Sequence, residues 1–331
     1  MVLTTPAPVE SGPLELRDVA VPEPGPGELL VRVNANGVCR TDLHVVEGEL
    51  TEPKLPLVPG HQIAGEVERV GEGVQDFAPG DRVGVPWLGG TDGTCPYCRA
   101  GMENLCDRPT FTGYQHDGGY AEYAVARADF ALRLPDGYTD VRAAPLLCAG
   151  LIGYRALRLA HVEPLADVAR LGLYGFGASA HIVIQVARHL GQEVHVVTRG
   201  EAGQMLALEL GATWAGGPDD VPPVQLDSAI IFAPVGSLVP AALGAVRKGG
   251  VVVCAGIHMS PIPQFDYDLL WGERVVRSVA NLTRADGAGF MEVASGMSID
   301  TVVEEFALED ANDALARLKS GRVRGAAVLI P

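Results

Sequence analysis

Cysteine is scarce in this chain, with six in 331 residues, too few for a disulfide scaffold. No apolar run approaches the roughly 18–20 residues that a membrane-spanning helix needs. The stretch Met1-Val2-Leu3-Thr4-Thr5-Pro6 has neither the cationic nor the apolar segment of a secretory leader, so the cytoplasm is the expected location. Basic charge is also short. Lys and Arg number 25 against 41 Asp and Glu, a formal net charge of −16. Nucleic acid and anionic membranes select for basic surfaces, so neither is an expected partner, although a local basic pocket for a phosphate stays open. There is no internal repeat and no low-complexity linker. What is present is a 47% hydrophobic, 20% charged chain, long enough for two domains with sizeable cores.

Two textures divide it. From Leu14 to about Asp136, short apolar runs such as Leu29–Val33, Ile63–Val70 and Arg82–Val85 alternate with Gly, Pro and Asp turns. Punctuation of this kind predicts a small antiparallel barrel. After Asp136 the period changes. The spacing predicts helices over 141–161, 178–190, 205–210 and 239–246, and strands at 171–174, 194–197, 229–232 and 251–254. Alternating strand and helix is the pattern of a doubly wound parallel sheet, which makes the fold class α/β. The tail returns with a helix at 311–319 and a strand at 326–330.

Chemistry enters with Cys39-Arg40-Thr41-Asp42-Leu43-His44 and Gly60-His61. Catalytic zinc takes three protein ligands and keeps a fourth position open. Cys39 and His61 are candidates, and Cys148 is a third, far along the chain. Taken singly, each has a plainer reading: Cys39 as a small buried hydrophobe, His61 as a hydrogen-bonded core histidine, Cys148 as helix core. A second cluster, Asp92, Cys95, Cys98 and Cys106, has the close spacing of a structural zinc site, with a carboxylate in place of one thiolate. Cys254 stands alone at a strand end and reads as core.

Gly175-Phe176-Gly177-Ala178-Ser179-Ala180 lies between a predicted strand and a predicted helix. In that context the first glycine permits a tight turn and the second lets a pyrophosphate approach the helix N-terminus. Ala180 occupies the position that packs helix against strand, and His181 just inside the helix reads as packing. The next strand ends Val197-Thr198-Arg199-Gly200, with no carboxylate to take the 2′-hydroxyl of NAD. Thr198 can hydrogen-bond a 2′-phosphate and Arg199 can pair with it, so NADP(H) is favoured over NAD(H).

Together these motifs resemble the zinc-dependent alcohol dehydrogenases of the medium-chain dehydrogenase/reductase superfamily, and the likeness runs nearly end to end. The stretch Tyr174 to His181 is similar to a bacterial branch described as cinnamyl-alcohol-dehydrogenase-like. The resemblance implies a GroES-like barrel domain over 1–145 and 287–331 and a Rossmann-type domain over 146–286. It implies that Cys39, His61 and Cys148 bind catalytic zinc, with Asp42 orienting His61. Thr41 and His44 would relay the proton of a small alcohol to solvent, and Arg40 would approach the cofactor pyrophosphate. Leu50 and Trp87 would wall a pocket for a primary aliphatic or aromatic alcohol or its aldehyde. Relatives usually form homodimers or homotetramers through the nucleotide domain.

Three positions depart from the family pattern. Gln62 follows His61 where a Glu is usual, Asp92 replaces a cysteine, and Ala326 follows Gly325 where an Arg is common, although Arg324 is close by. Two other readings compete. A zinc-independent quinone or enone reductase of the same fold would not need Cys39, His61 and Cys148 together. A catalytically silent cofactor-binding protein would not need Thr41 and His44.

Overall fold

A computed structural model describes residues 1–331. In chain order its main elements begin with β1 (Glu28–Val38), α1 (Arg40–Glu47), β2 (Ile63–Val70), β3 (Arg82–Val85), β4 (Tyr123–Arg127) and β5 (Leu132–Arg133). They continue with α2 (Ala149–Ala160), β6 (Arg170–Tyr174), α3 (Ala178–His189), β7 (Glu193–Val197), α4 (Glu201–Glu209) and β8 (Trp214–Gly216). Then come β9 (Leu226–Ile231), α5 (Leu238–Ala245), β10 (Val246–Cys254) and β11 (Val275–Ser278). The chain ends with α6 (Arg284–Ser295), β12 (Val303–Ala307), α7 (Ala311–Lys319) and β13 (Ala326–Ile330). No single helix is long and apolar enough to cross a membrane.

The chain divides into two compact units, residues 1–148 with 281–331, and residues 149–280. The first holds a seven-stranded sheet in the order β12-β13-β1-β2-β3-β5, with β4 also on β1. Every pairing in it is antiparallel except β12 with β13. Leu29, Val31 and Val33 of β1 alternate inward against Ile63, Val67, Val83 and Val85, so the period-2 pattern becomes one apolar face. Beside it, α1 and α7 lay Val45, Val46, Ala314 and Leu315 into a second core with Leu3, Leu57 and Tyr120.

The second unit is a parallel sheet in the order β8-β7-β6-β9-β10-β11. This is the doubly wound order with a switch point beside the first strand, where such sheets bind dinucleotides. Leu171, Leu173, Ile230, Ile231, Val252 and Val253 are fully or almost fully buried. Strands covered on both faces read as continuous apolar runs, which is why the four inner ones are visible in the sequence.

Two expectations need correction. The helix expected over 141–161 is interrupted: Asp140–Ala143 passes into a 3-10 turn, Ala144–Leu147, and α2 starts only at Ala149. Cys148 sits in the break with φ −131° and ψ −70°, its N–H donating to the Pro145 carbonyl at 3.4 Å. Pro145 lacks an N–H and clashes with a continuous helix, and the interruption places the cysteine at a bend instead of in a helix core. The sheet also has six strands where the pattern marks four, because β8 has only three residues and β11 is a mostly exposed edge.

Candidate metal centres and nucleotide turn

Cys39 follows β1 and caps α1. Its Sγ accepts the Thr41 N–H at 3.3 Å, and its own N–H donates to Asp42 Oδ2 at 2.8 Å, a reciprocal cap. The other Asp42 oxygen, Oδ1, lies 3.0 Å from His61 Nδ1. His61 Nε2 then points at Cys39 Sγ, 3.4 Å away, and Cys148 Sγ is 4.0 Å from Cys39 Sγ. All three donor atoms fall within 4.8 Å of one another. Asp42 and His61 are each 1% exposed, so this is a buried, oriented imidazole with two thiols beside it.

Burial and crowding both act on the protonation of these groups. The hydrogen bond with Cys148, and burial after it, push the Cys39 thiol well above its usual range. Burial works against a charge on His61, but the Asp42 carboxylate and the Cys39 thiol outweigh it and lift the imidazole to about 10. A divalent ion binding there would displace protons from its ligands. The donor set suits zinc: soft thiolates, one imidazole, and a carboxylate fixing the imidazole from behind.

The second cluster also converges, with the donor atoms of Asp92, Cys95, Cys98 and Cys106 within 4.8 Å. Cys95 caps a one-turn helix, Pro96–Arg99, and its Sγ accepts the Cys98 N–H at 3.5 Å. Cys106 Sγ accepts the N–H groups of Asp92 and Arg108, each at 3.4 Å. Asp92 Oδ1 takes the N–H groups of Thr94 at 2.8 Å and Cys95 at 2.9 Å. Those two bonds, Cys95 first, hold its carboxyl well below the usual carboxylate range. Oδ2 is left facing Arg108 Nε at 3.5 Å. Burial raises the Cys98 thiol to about 11 among its crowded neighbours. Buried Glu103 ties this lobe to α6, accepting the Arg284 N–H at 2.8 Å and Arg284 Nε at 3.2 Å.

In the second unit, Gly175 follows β6 with φ +89°, and a Cβ there would meet Ala233 N at 2.7 Å, so the turn demands glycine. Gly177 caps α3, and a Cβ on it would meet nothing within 4 Å. That open side, over uncapped helix N–H groups, is where a pyrophosphate would lie. Phe176 and Ser179 are not in the core, Ala178 is exposed, and Ala180 is fully buried, as a helix-packing position requires. Thr198 follows β7, its N–H donating to the Gly216 carbonyl at 2.9 Å, and Arg199 beyond it is exposed.

Thr41 and His44 are half-buried, one turn apart on α1, while Arg40 is exposed at its start. Trp87 is half-buried and not closed into the core. It meets His61 edge-on at 4.9 Å and stacks on Phe111 at 4.9 Å and Tyr114 at 5.9 Å. Leu50 packs against the same apolar cluster. Gln62 is buried against Gly37, with its Nε2 lacking a protein partner. Cys254 is buried at the end of β10, and Arg324 donates its N–H to Glu304 at 3.2 Å. Sequence reasoning missed Phe111, Tyr114 and Glu49, the last lying 2.5 Å from His44 through its carboxylate. No motif in the sequence marks that pair.

Comparison with known proteins gives a consistent result. A family described as the alcohol dehydrogenase GroES-like domain matches residues 25–136. A probable alcohol dehydrogenase of Mycobacterium tuberculosis is 50% identical over 331 residues, covering 98% of this chain and 95% of that protein. The solved structure of a cinnamyl alcohol dehydrogenase from Sorghum bicolor aligns with a TM-score of 0.87 at 28% identity, over 98% of this chain and 96% of that one. A thermostable alcohol dehydrogenase from Pyrobaculum aerophilum, solved with cobalt and zinc bound, aligns with a TM-score of 0.87 at 28% identity, over 100% of this chain and 98% of that one.

Proposed function

This chain belongs to the zinc-dependent alcohol dehydrogenases of the medium-chain dehydrogenase/reductase superfamily, and from that premise we propose reversible hydride transfer between a primary apolar alcohol and NADP. The observation that carries the reading is the convergence of Cys39, His61 and Cys148, with Asp42 behind the imidazole. Those three residues would hold the catalytic zinc, and Asp92, Cys95, Cys98 and Cys106 a structural one. When bound, zinc supplies Lewis acidity toward an alcohol or carbonyl oxygen, and the nicotinamide takes or supplies the hydride.

The chain's own residues do the rest. Asp42 keeps His61 in one tautomer and orientation. The Thr41 hydroxyl accepts the alcohol proton, and His44 passes it toward water. Leu50 and Trp87 present apolar surface and exclude water from the reacting carbon. Trp87, stacked on two aromatic rings, favours aliphatic or aromatic substrates over polyols. Gly175 through Ala180 would seat the pyrophosphate, with Arg40 as a further contact. Catalysis is assigned to residues 1–145 and 287–331 and nucleotide binding to 146–286. A reducing compartment such as the cytoplasm suits two sites built on five thiols.

The cofactor preference rests on Thr198 and Arg199, and it is tested by hexanal reduction with NADPH and NADH side by side. NADPH is expected to lead, and Arg199→Ala to raise KM for NADPH about tenfold to a hundredfold, the worth of one charged hydrogen bond. The same variant should leave NADH turnover unchanged. Faster NADH turnover in the wild type would overturn the preference. The proposed homodimer or homotetramer is supported by β11, an edge strand with Val275 45% exposed beside Trp271 at 64% and Tyr267 at 66%. Sedimentation should give a dimer or larger, and Val275→Lys should shift it toward monomer.

A further inference from the structure

We propose that Tyr114 is a specificity-determining residue, a clamp on the segment 51–54 that fixes how far Leu50 stands from Trp87. The spacing then decides which alcohols the apolar wall admits. The proposal rests on the Leu50–Trp87 wall read above. Leu50 is half-buried in a stretch without regular secondary structure, between exposed Glu49 on one side and exposed Thr51 and Glu52 on the other. Such a stretch has no ladder of its own and is held by the bonds that reach it from outside. Tyr114 supplies two. Its hydroxyl donates to the Thr51 carbonyl, and its own carbonyl accepts the Lys54 N–H at 2.8 Å. The same residue is buried and stacks its ring on Trp87 at 5.9 Å, so it joins one wall to the segment beside the other.

Tyr114 stands on a rigid turn, and the segment it holds is strained. The N–H groups of Gln115 and His116 donate to the Phe111 carbonyl at 3.1 and 3.2 Å, and Gln115 Oε1 accepts the Phe111 N–H at 3.0 Å. Gly113 has φ +70°, and a Cβ there would meet Gly60 N and O at 2.7 Å, so the turn is seated against the residue before His61. Glu52, between the two points that Tyr114 binds, has φ +74°, a left-handed value unfavourable for a residue with a Cβ. Strain of this kind persists only where the surroundings over-determine it. Releasing Thr51 lets Glu52 relax to negative φ and loosens Leu50 from the wall. Burial, and the Glu52 carboxylate after it, raise the Tyr114 phenol above its ordinary value, so the hydroxyl keeps the proton it donates.

The test compares reduction of hexanal and of cyclohexanecarbaldehyde by NADPH on the zinc-loaded enzyme. Tyr114→Phe keeps the stacked ring and removes the donor. It is expected to raise kcat/KM for the ring aldehyde relative to hexanal about threefold to tenfold, the worth of one neutral hydrogen bond, with the gain carried by KM. Amide exchange at Thr51 and Glu52 should quicken by a similar factor. Asparagine tolerates the left-handed region, so Glu52→Asn added to Tyr114→Phe should return the ratio to within about twofold of wild type. A packing role for the Tyr114 ring would show no such rescue. An unchanged ratio in Tyr114→Phe, or a shifted ratio without rescue, would overturn the clamp and leave the dehydrogenase reading standing. No turnover of either aldehyde by the wild type would remove that reading and the clamp with it. Thermal midpoints of the variants separate a shifted ratio from partial unfolding.

Discussion

Replacing Cys39 with Ser should lower kcat/KM for aldehyde reduction by about a thousandfold or more, the scale of losing Lewis-acid stabilisation of a developing oxyanion. Zinc content should fall from two ions per chain toward one, since two separate donor groups are present and only one contains Cys39. NADPH binding, followed by its fluorescence, should be unaffected, because the nucleotide turn belongs to the other compact unit. The substitution changes one atom, but it also alters the cap of α1, where Sγ accepts the Thr41 N–H. A serine oxygen can make that same bond. The helix should therefore survive, and the loss should be read as loss of the ion. Full activity in the variant would eliminate the zinc assignment at this centre.

The second large effect is expected at the other cluster, with the opposite signature. Cys106→Ala removes a donor whose sulfur accepts two backbone N–H groups and organises both ends of the lobe. Zinc content should again drop toward one ion, but the thermal midpoint should fall by about 5 °C or more, because a structural ion contributes directly to folding. Near room temperature most turnover should remain. The Glu103–Arg284 contacts tie the lobe to α6 independently of the metal, so loosening is expected to stay local. Asp92→Cys, completing four thiolates, should slow zinc loss to a chelator. Unchanged zinc content in Cys106→Ala would mean that the lobe holds no ion.

What is legible in the sequence depends on what each residue must do. Strands buried on both faces, such as Leu171–Tyr174 and Val251–Cys254, announce themselves as apolar runs. The edge strand Val275–Ser278 does not, because an exposed edge has no buried pattern to read. Helix α6 escapes a reading by propensity because Gly287 and Gly289 weaken it, although Thr283 and Asp286 form a capping box that marks its start. Cys39, His61 and Cys148 look ordinary one by one, and only their joint match to a family pattern singles them out. The bend that frees Cys148 from a helix follows from Pro145, a local break signal that the helical spacing over 141–161 masked. Glu49 is invisible for a different reason: its partner is five residues away, across a glycine turn that could have pointed it anywhere.

Asp42 carries a burden that goes beyond the centre it supports. One oxygen closes the first turn of α1 and the other holds His61. A mutation that loosens the imidazole therefore frays the helix that bears Thr41 and His44 as well. Selection cannot trade ligand geometry against helix stability at this position, since a single carboxylate answers for both. Arg40 at the exposed start of the same helix and Glu49 just past its end carry no such double duty. Those are the sites at which a lineage could retune turnover without first surviving a folding defect.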